Sequence, residues 1–339
     1  MIEQAFGASS RWSVGVEEEL MLVDEQTFEL VPAAPLLLDE GADFLKHELL
    51  APIVETTTSV CETPAEALEQ MIEGRLEAAR RAERHGLRVL AAGSHPFSRP
   101  EDQPVTDEPH YVEFVELAGP AARRQGVSGL HVHVGMPDAE TCVRALERAL
   151  PWLPVVLALS ANSPFFRGEE TGLLSTRAEV LASLPRAGAP PHFETYAAWE
   201  AAMERWLAAG LVKRYTNAWW DARVHPQFGT LELRIADQPT DVHVAGAIVV
   251  ILHRIAVRAA EGDLPTAPRE DYETNRFAAS RFGPRAELIW GDRMVRVDEL
   301  AADLDTGLDV KTCEADRQLL RRDDLVALVA DLAARTVPS

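Results

Sequence analysis

Lysine is nearly missing from this chain: Lys46, Lys213 and Lys311 are the only three in 339 residues. Arginine therefore carries almost all of the positive charge, and the formal net charge is −21. A surface of that sign repels phosphate backbones, which excludes nonspecific nucleic-acid binding but suits a cation-dependent enzyme. Cysteine is as scarce. Cys61, Cys142 and Cys313 are too few and too scattered for a zinc knuckle or a disulfide framework, so a reducing cytoplasm is expected. The first residues lack the charged-then-apolar layout of a signal peptide. Long apolar runs are missing too: residues 150–161 and 244–252 are the most apolar, and both are shorter than a bilayer crossing requires. No Gly-x-Gly-x-x-Gly or Walker loop, internal repeat or low-complexity segment is present. The expectation is a soluble cytoplasmic protein without a membrane partner.

What is there begins with helices. Thr63 as N-cap, Pro64 at the first position and Glu66 completing a capping box predict a helix over 64–85, closed by Gly86. Asp138 caps a second helix to Leu150, which Pro151 ends and an apolar segment continues to Asn162. Further helices are predicted over 193–209 and 242–261, the latter buried, and a mostly polar amphipathic one over 314–334. Residues 163–191 keep no period and read as a long loop, a candidate lid. Strands spread among helices rather than alternating with them predict an α+β fold, a mainly antiparallel sheet with helices on its apolar face. No linker divides the chain, so one catalytic domain is expected over 1–339, with a core at 12–285 and a helical tail at 286–339.

Three strand patterns carry the chemistry. In 12–23, Val14, Val16, Leu20 and Leu22 alternate with Glu17 and Glu19; in 128–135, Leu130, Val132 and Val134 alternate with His131 and His133. In 230–237, Leu231, Leu233 and Ile235 alternate with Glu232 and Arg234. Successive strand residues face opposite sides, so each segment has one apolar and one ligand-rich face. Glu17 and Glu19 would project about 7 Å apart and repel unless a cation or solvent intervenes. Several carboxylates on one floor suggest more than one Mg2+ ion. The histidine pair can bind a metal or phosphate oxygens, or be structural. Glu232 with Arg234 reads as a metal ligand beside a phosphate clamp, or as an inert ion pair. Glu48 and Glu55 lie by a short strand pattern and are individually ordinary. Glu18 faces the apolar side and requires a buried partner, an arginine.

Ordered motifs then show a resemblance. The segments 15–20 (Gly-Val-Glu-Glu-Glu-Leu), 129–135 (Gly-Leu-His-Val-His-Val-Gly) and 229–234 (Gly-Thr-Leu-Glu-Leu-Arg) resemble those of the glutamate–cysteine ligase type 2 family, the bacterial carboxylate–amine ligases. So do 161–168 with Thr171 and Gly172, 220–223 with His225 and Pro226, and Asn275-Arg276 followed by Arg281. The resemblance covers about residues 12 to 285 and implies a glutamine-synthetase-like catalytic core with a curved antiparallel sheet as floor. It implies magnesium ligands at Glu17, Glu19, Glu55 and Glu232, a catalytic His131 and Arg234, and ATP contacts from His131, His133 and Arg234. Arg177 and Arg223 are candidates to grip a substrate carboxylate. The implied reaction joins small-molecule carboxylate and amine, nominally glutamate and cysteine, with ATP and Mg2+ (Mn2+ as a substitute). A homo-oligomer is compatible. A metal-dependent amide hydrolase and a silent ATP or amino-acid sensor stay open as alternatives.

Overall fold

The strand β1, Val14–Asp24, organises the molecule. The computed structural model describes residues 2–38, 41, 44–305, 307, 308 and 310–338, so three positions of the 286–339 tail lie outside the described residues. Around β1 stand β2 (Leu45–His47), β3 (Ile53–Thr57), β4 (Leu87–Leu90), β5 (Gly129–Gly135), β8 (Ala222–His225) and β9 (Thr230–Asp237). They form a seven-stranded sheet in the order β2-β3-β1-β5-β9-β8, with every neighbour antiparallel. On the edge away from β3, β1 pairs β5 through Val14–Glu18 and then β4 through Met21–Asp24. The fold is α+β, as the strand spacing implies.

Helices cover the apolar face. Val132, Val134, Leu231 and Leu233 pack in one cluster with Leu146, Leu153, Ile248 and Leu252. The helix Val242–Glu261 is, by length and composition alone, long and apolar enough to cross a bilayer, which the 244–252 stretch does not reveal. It lies instead against β5 and the helices Pro64–Glu83 and Ala139–Ala149. Thr63 and Asp138 cap those two helices as expected. The Glu66 carboxylate, however, accepts from the Glu62 N–H rather than closing a box on Thr63.

Three readings are corrected. The ligand-rich face of β1 stops at Glu19, because Met21 and Val23 enter a second apolar cluster with Leu328 and Leu332. Residues 163–191 are not a free loop. They hold a hairpin of β6 (Phe165–Phe166) and β7 (Glu169–Glu170) and the helix Thr176–Ala182. Their base is tied to β9, since Asp237 accepts from Ser163 Oγ at 2.6 Å and Ser175 Oγ at 2.7 Å. The tail is not wholly helical: β10 (Glu287–Trp290) pairs β11 (Arg293–Arg296), and two helices, Glu314–Leu319 and Leu325–Thr336, replace the single one expected.

The last helix closes a buried ion pair. Arg75 donates to Glu18 at 2.6 Å with both side chains fully enclosed, which supplies the arginine that Glu18 requires. Arg75 also donates to the carbonyls of Pro239, Thr240 and Thr336. A buried charge pair is tolerable only when its remaining donors are satisfied in this way.

Candidate active site

Antiparallel register sets the floor. Glu17 lies opposite His131 on β5, and Glu19 lies opposite Glu55 on β3. His133 lies opposite Glu232 on β9, and Glu232 opposite Arg223 on β8. Glu17, Glu19, Glu55, Glu232, His131, His133 and Arg234 are thus carried to one face by four strands, β1, β3, β5 and β9.

A bulge completes the row. Leu130 pairs Ala236 while Val132 pairs Leu233, so Arg234 and Ile235 together oppose the single His131. Bulges free backbone groups from the ladder and re-aim side chains. Here the buried Arg177 takes up the freed carbonyls, donating to Ile235 O at 3.2 Å and Arg234 O at 3.1 Å. It passes so close to β5 that a Cβ at Gly129 would sit 2.0 Å from its Nη2. The Gly129 N–H in turn donates to Glu19 Oε2 at 2.6 Å.

Charge is distributed unevenly along the floor. Glu232 is fully buried, yet Arg223 grips it through Nε at 2.7 Å and Nη2 at 3.0 Å, and Arg234 through Nη1 at 2.5 Å. Burial would raise its carboxyl, but the two guanidinium groups and His133 hold it well below the usual range. Arg223 spends its other donors on Thr216 O and Ala218 O. Glu17 stands 3.3 Å from His131 Nδ1 and 3.4 Å from His133 Nε2. Despite burial, these histidines hold it well below the usual range. Burial and the Arg234 charge push His131 down to about 4, whereas Glu17 and Glu232 outweigh burial to raise His133.

The other end lacks such partners. Burial and the charges of Glu17 and Glu48 push Glu55 well above the carboxylate range. Burial and Glu19 push Glu48 up to about 8. Glu48 has no strand alternation to announce it; the short pairing of β2 with β3 carries it to Glu19.

The residues fit divalent cations. Ligand atoms of Glu17, His133 and Glu232 lie within 4.8 Å of one another, as do those of Glu17, Glu55 and His131 and those of Glu19, Glu48 and Glu55. Shared members make the three groups one continuous row. His131 Nε2 and His133 Nε2 are buried without a hydrogen-bond partner among the described residues. Mutually repelling carboxylates call for a positive guest, and each unpartnered buried nitrogen calls for a partner, as a metal ligand or as a hydrogen-bond donor.

Comparison with known proteins agrees with the geometry. A model of glutamate–cysteine ligase family 2 matches residues 13–321. The chain is 39% identical over 310 residues to a Rubrobacter xylanophilus protein named "Putative glutamate--cysteine ligase 2-3", covering 89% of this chain and 85% of that one. Its fold is similar to the crystal structure of a Francisella tularensis glutamate–cysteine ligase in complex with AMP (TM-score 0.72, 10% identity, 98% and 90% of the two chains). A bifunctional glutathione synthetase from Pasteurella multocida is also similar in fold (TM-score 0.67, 15% identity), the match covering 96% of this chain and 52% of that one. The chain belongs to glutamate–cysteine ligase family 2 and is an enzyme of the ATP-dependent ligase class.

Proposed function

We propose that the enzyme joins a carboxylate to an amine through an acyl phosphate, with glutamate and cysteine as nominal substrates and ATP converted to ADP and phosphate. The observation that supports this most is the row of ion-binding carboxylates and histidines ending on the Arg234 guanidinium. Phosphoryl transfer depends on positioning and charge neutralisation more than on a protein nucleophile. In this reading Glu17, His133 and Glu232 hold one Mg2+, and Glu19, Glu48 and Glu55 another. Bound there, such ions would neutralise the charge of a triphosphate.

In the first step a carboxylate oxygen attacks the γ-phosphorus; an O–P bond forms as the bond to the ADP oxygen breaks. In the second the amine nitrogen attacks the acyl carbon, the C–O bond to phosphate breaks, and the amine's proton goes to solvent. Arg234 spends one nitrogen on Glu232 and turns the rest of its fork to phosphoryl oxygens. His131, kept neutral, donates a hydrogen bond without adding charge. Arg223 acts through Glu232 and Arg177 through the bulge, while Arg177 also lines the cavity beside Glu19.

The nucleotide is assigned to the side of Glu17 and His133. Hydroxyls of Ser13, Thr57 and Thr230 line a cavity there with Lys46, and Phe228 stacks on His225 at its edge. The whole chain works as one unit in this reading, because the last helix supplies a carbonyl to the Arg75–Glu18 pair. Three free, buried cysteines suit a reducing cytoplasm.

The test is Mg2+-dependent ADP release in the parent and in Glu17→Gln, expected in the first and lost in the second with the thermal midpoint nearly unchanged. Product formed in nucleotide-free buffer would replace the ligase by a hydrolase. MgATP binding without turnover under any pairing of acids and amines would leave a sensor.

A further inference from the structure

Glu19, His131, Arg177 and Arg234 form the inner end of a cavity of about 970 Å3, open mouth included, on the side of the floor away from the proposed nucleotide. Its outer wall is apolar in part, with His110, Glu113, Gln125, Thr216 and Asn217 among the apolar side chains. Tyr111, Phe114 and Leu117 come from the helix Pro109–Ala118, Leu181 and Leu184 from the segment after the bulge-holding Arg177, and Trp219 from just before β8. Phe114 and Trp219 approach to 4.7 Å between ring centroids. The helix Pro109–Ala118 has no fully buried residue: Tyr111, Phe114 and Val115 pack in part against the cluster that holds Met21 and Leu328, and Phe114 and Tyr111 keep a face to the cavity. The exposed Lys213 and Arg214 line the same cavity, with Glu48 at its inner end.

A cysteine side chain is a short thiol and would leave this wall in water. An aryl or branched-alkyl group would cover it, and burial is favourable in proportion to the apolar area removed from water. The charges fit the rest of an α-amino acid: the cations at the mouth suit its carboxylate, which leaves its amine free to reach the floor at the inner end. A site of this kind selects by body and by the carboxylate.

We propose that the amine substrate is an apolar α-amino acid, aryl or branched-alkyl, with its side chain against Phe114 and Trp219 and its carboxylate at Lys213 and Arg214. The inference rests on the ligase reading above and names the substrate class of that same site. It makes Phe114 and Trp219 specificity-determining residues.

Two assays separate the inference from the reading beneath it. Hydroxylamine needs no side-chain wall, so hydroxamate formed from MgATP and a panel of glutamate, aspartate and monocarboxylic acids reports the acyl phosphate alone. No hydroxamate from any acid overturns the ligase reading and this inference with it. Where hydroxamate forms, phenylalanine and leucine are expected to give kcat/KM for ADP release at least tenfold above cysteine. Phenethylamine, which lacks the carboxylate, is expected to fall at least tenfold below phenylalanine. Trp219→Ala and Phe114→Ala are expected to raise KM for phenylalanine at least tenfold while KM for ATP moves less than twofold. Phe114 is partly buried against the cluster that holds Met21 and Leu328, so a thermal midpoint close to the parent's and an unmoved KM for ATP check that its variant keeps the fold. Calorimetric titration of phenylalanine into parent and variants is expected to rank them alike without turnover. Cysteine as the preferred amine overturns the inference and leaves the ligase reading standing. A KM for ATP that rises in step with that for phenylalanine does the same, by giving this cavity to the nucleotide.

Discussion

The two ends of the carboxylate row use the same side chains in opposite electrostatic states. At the Glu232 end two arginines lie within 3.0 Å of the carboxylate and keep it ionised. At the Glu48 and Glu55 end, carboxylates face each other, and the cation recorded beside Glu55 is Lys46 at 3.5 Å, half exposed. One end is neutralised by the protein; the other, in the proposed reading, is left to bound cations. Ionisation here is set by neighbours, and the residue type alone says little about it.

The largest expected effect breaks this comparison directly. Glu232→Gln leaves Arg223 and Arg234 buried without their anion, which should cost about 3–5 kcal/mol of stability. Glu55→Gln removes a carboxylate that already repels its neighbours, so stability should stay within about 1 kcal/mol of the parent. In Glu55→Gln the rise in thermal midpoint on adding Mg2+ should shrink or vanish. Thermal denaturation with and without Mg2+ checks both, and equal losses in the two variants would erase the distinction between the ends.

Arg234→Lys sharpens the charged end. The ammonium keeps one contact to Glu232 but lacks the planar fork that reaches phosphoryl oxygens as well. A fall in kcat of about 10²–10³, the loss typical of one transition-state donor, is expected with nucleotide affinity changed much less. Steady-state ADP release beside equilibrium MgATP binding measures the split; parent-like kcat would remove Arg234 from phosphoryl transfer.

Much of this site was legible in the sequence because period-two alternation is written residue by residue. Glu17, Glu19, His131, His133, Glu232 and Arg234 share a face by local geometry, and pairing among β1, β5 and β9 only had to bring the faces together. Glu18 announced a buried arginine by sitting on the apolar side, yet Arg75 could not be named, since helix-to-strand docking is tertiary. Glu48 was noticed but left as ordinary for the same reason, lying beyond β2 in no repeating pattern. Arg177 read as a substrate grip because its guanidinium was seen without the bulge whose carbonyls occupy it. The break between Leu319 and Leu325 was missed because a polar amphipathic pattern continues across it.

Acidity separates the ends next. Without divalent ion, Glu48 titrates near 8 rather than 4.5, and Glu55 is shifted the same way. The folded state then holds protons the unfolded chain has released, so this end loses stability as pH rises from about 4.5 to about 8. Glu232, shifted down, acts oppositely: its contribution is present above about 4.5 and lost as pH falls below it. Mg2+ must displace the protons on Glu48 and Glu55, so its affinity should climb by up to about tenfold per pH unit for each proton released. Calorimetric Mg2+ titrations at pH 6, 7 and 8 in buffers of different ionisation enthalpy count those protons. A pH-independent affinity would mean that the acid-rich end does not bind the ion.

The smallest effect probes how little the protein itself does for that end. Lys46 lies 3.5 Å from Glu55 with its side chain 51% exposed, so solvent screens the pair. Exposed ion pairs of this kind contribute about 0.2–1 kcal/mol. Lys46→Met should therefore change stability by less than about 1 kcal/mol, and by still less in high salt, where the Debye length falls to about 3 Å at 1 M. Its effect on Mg2+ should have the opposite sign: removing a competing positive charge beside Glu55 should tighten the ion at low salt. A Lys46→Met variant that binds Mg2+ more weakly would show that the lysine helps assemble the carboxylates, and the two ends would then differ in degree rather than in kind.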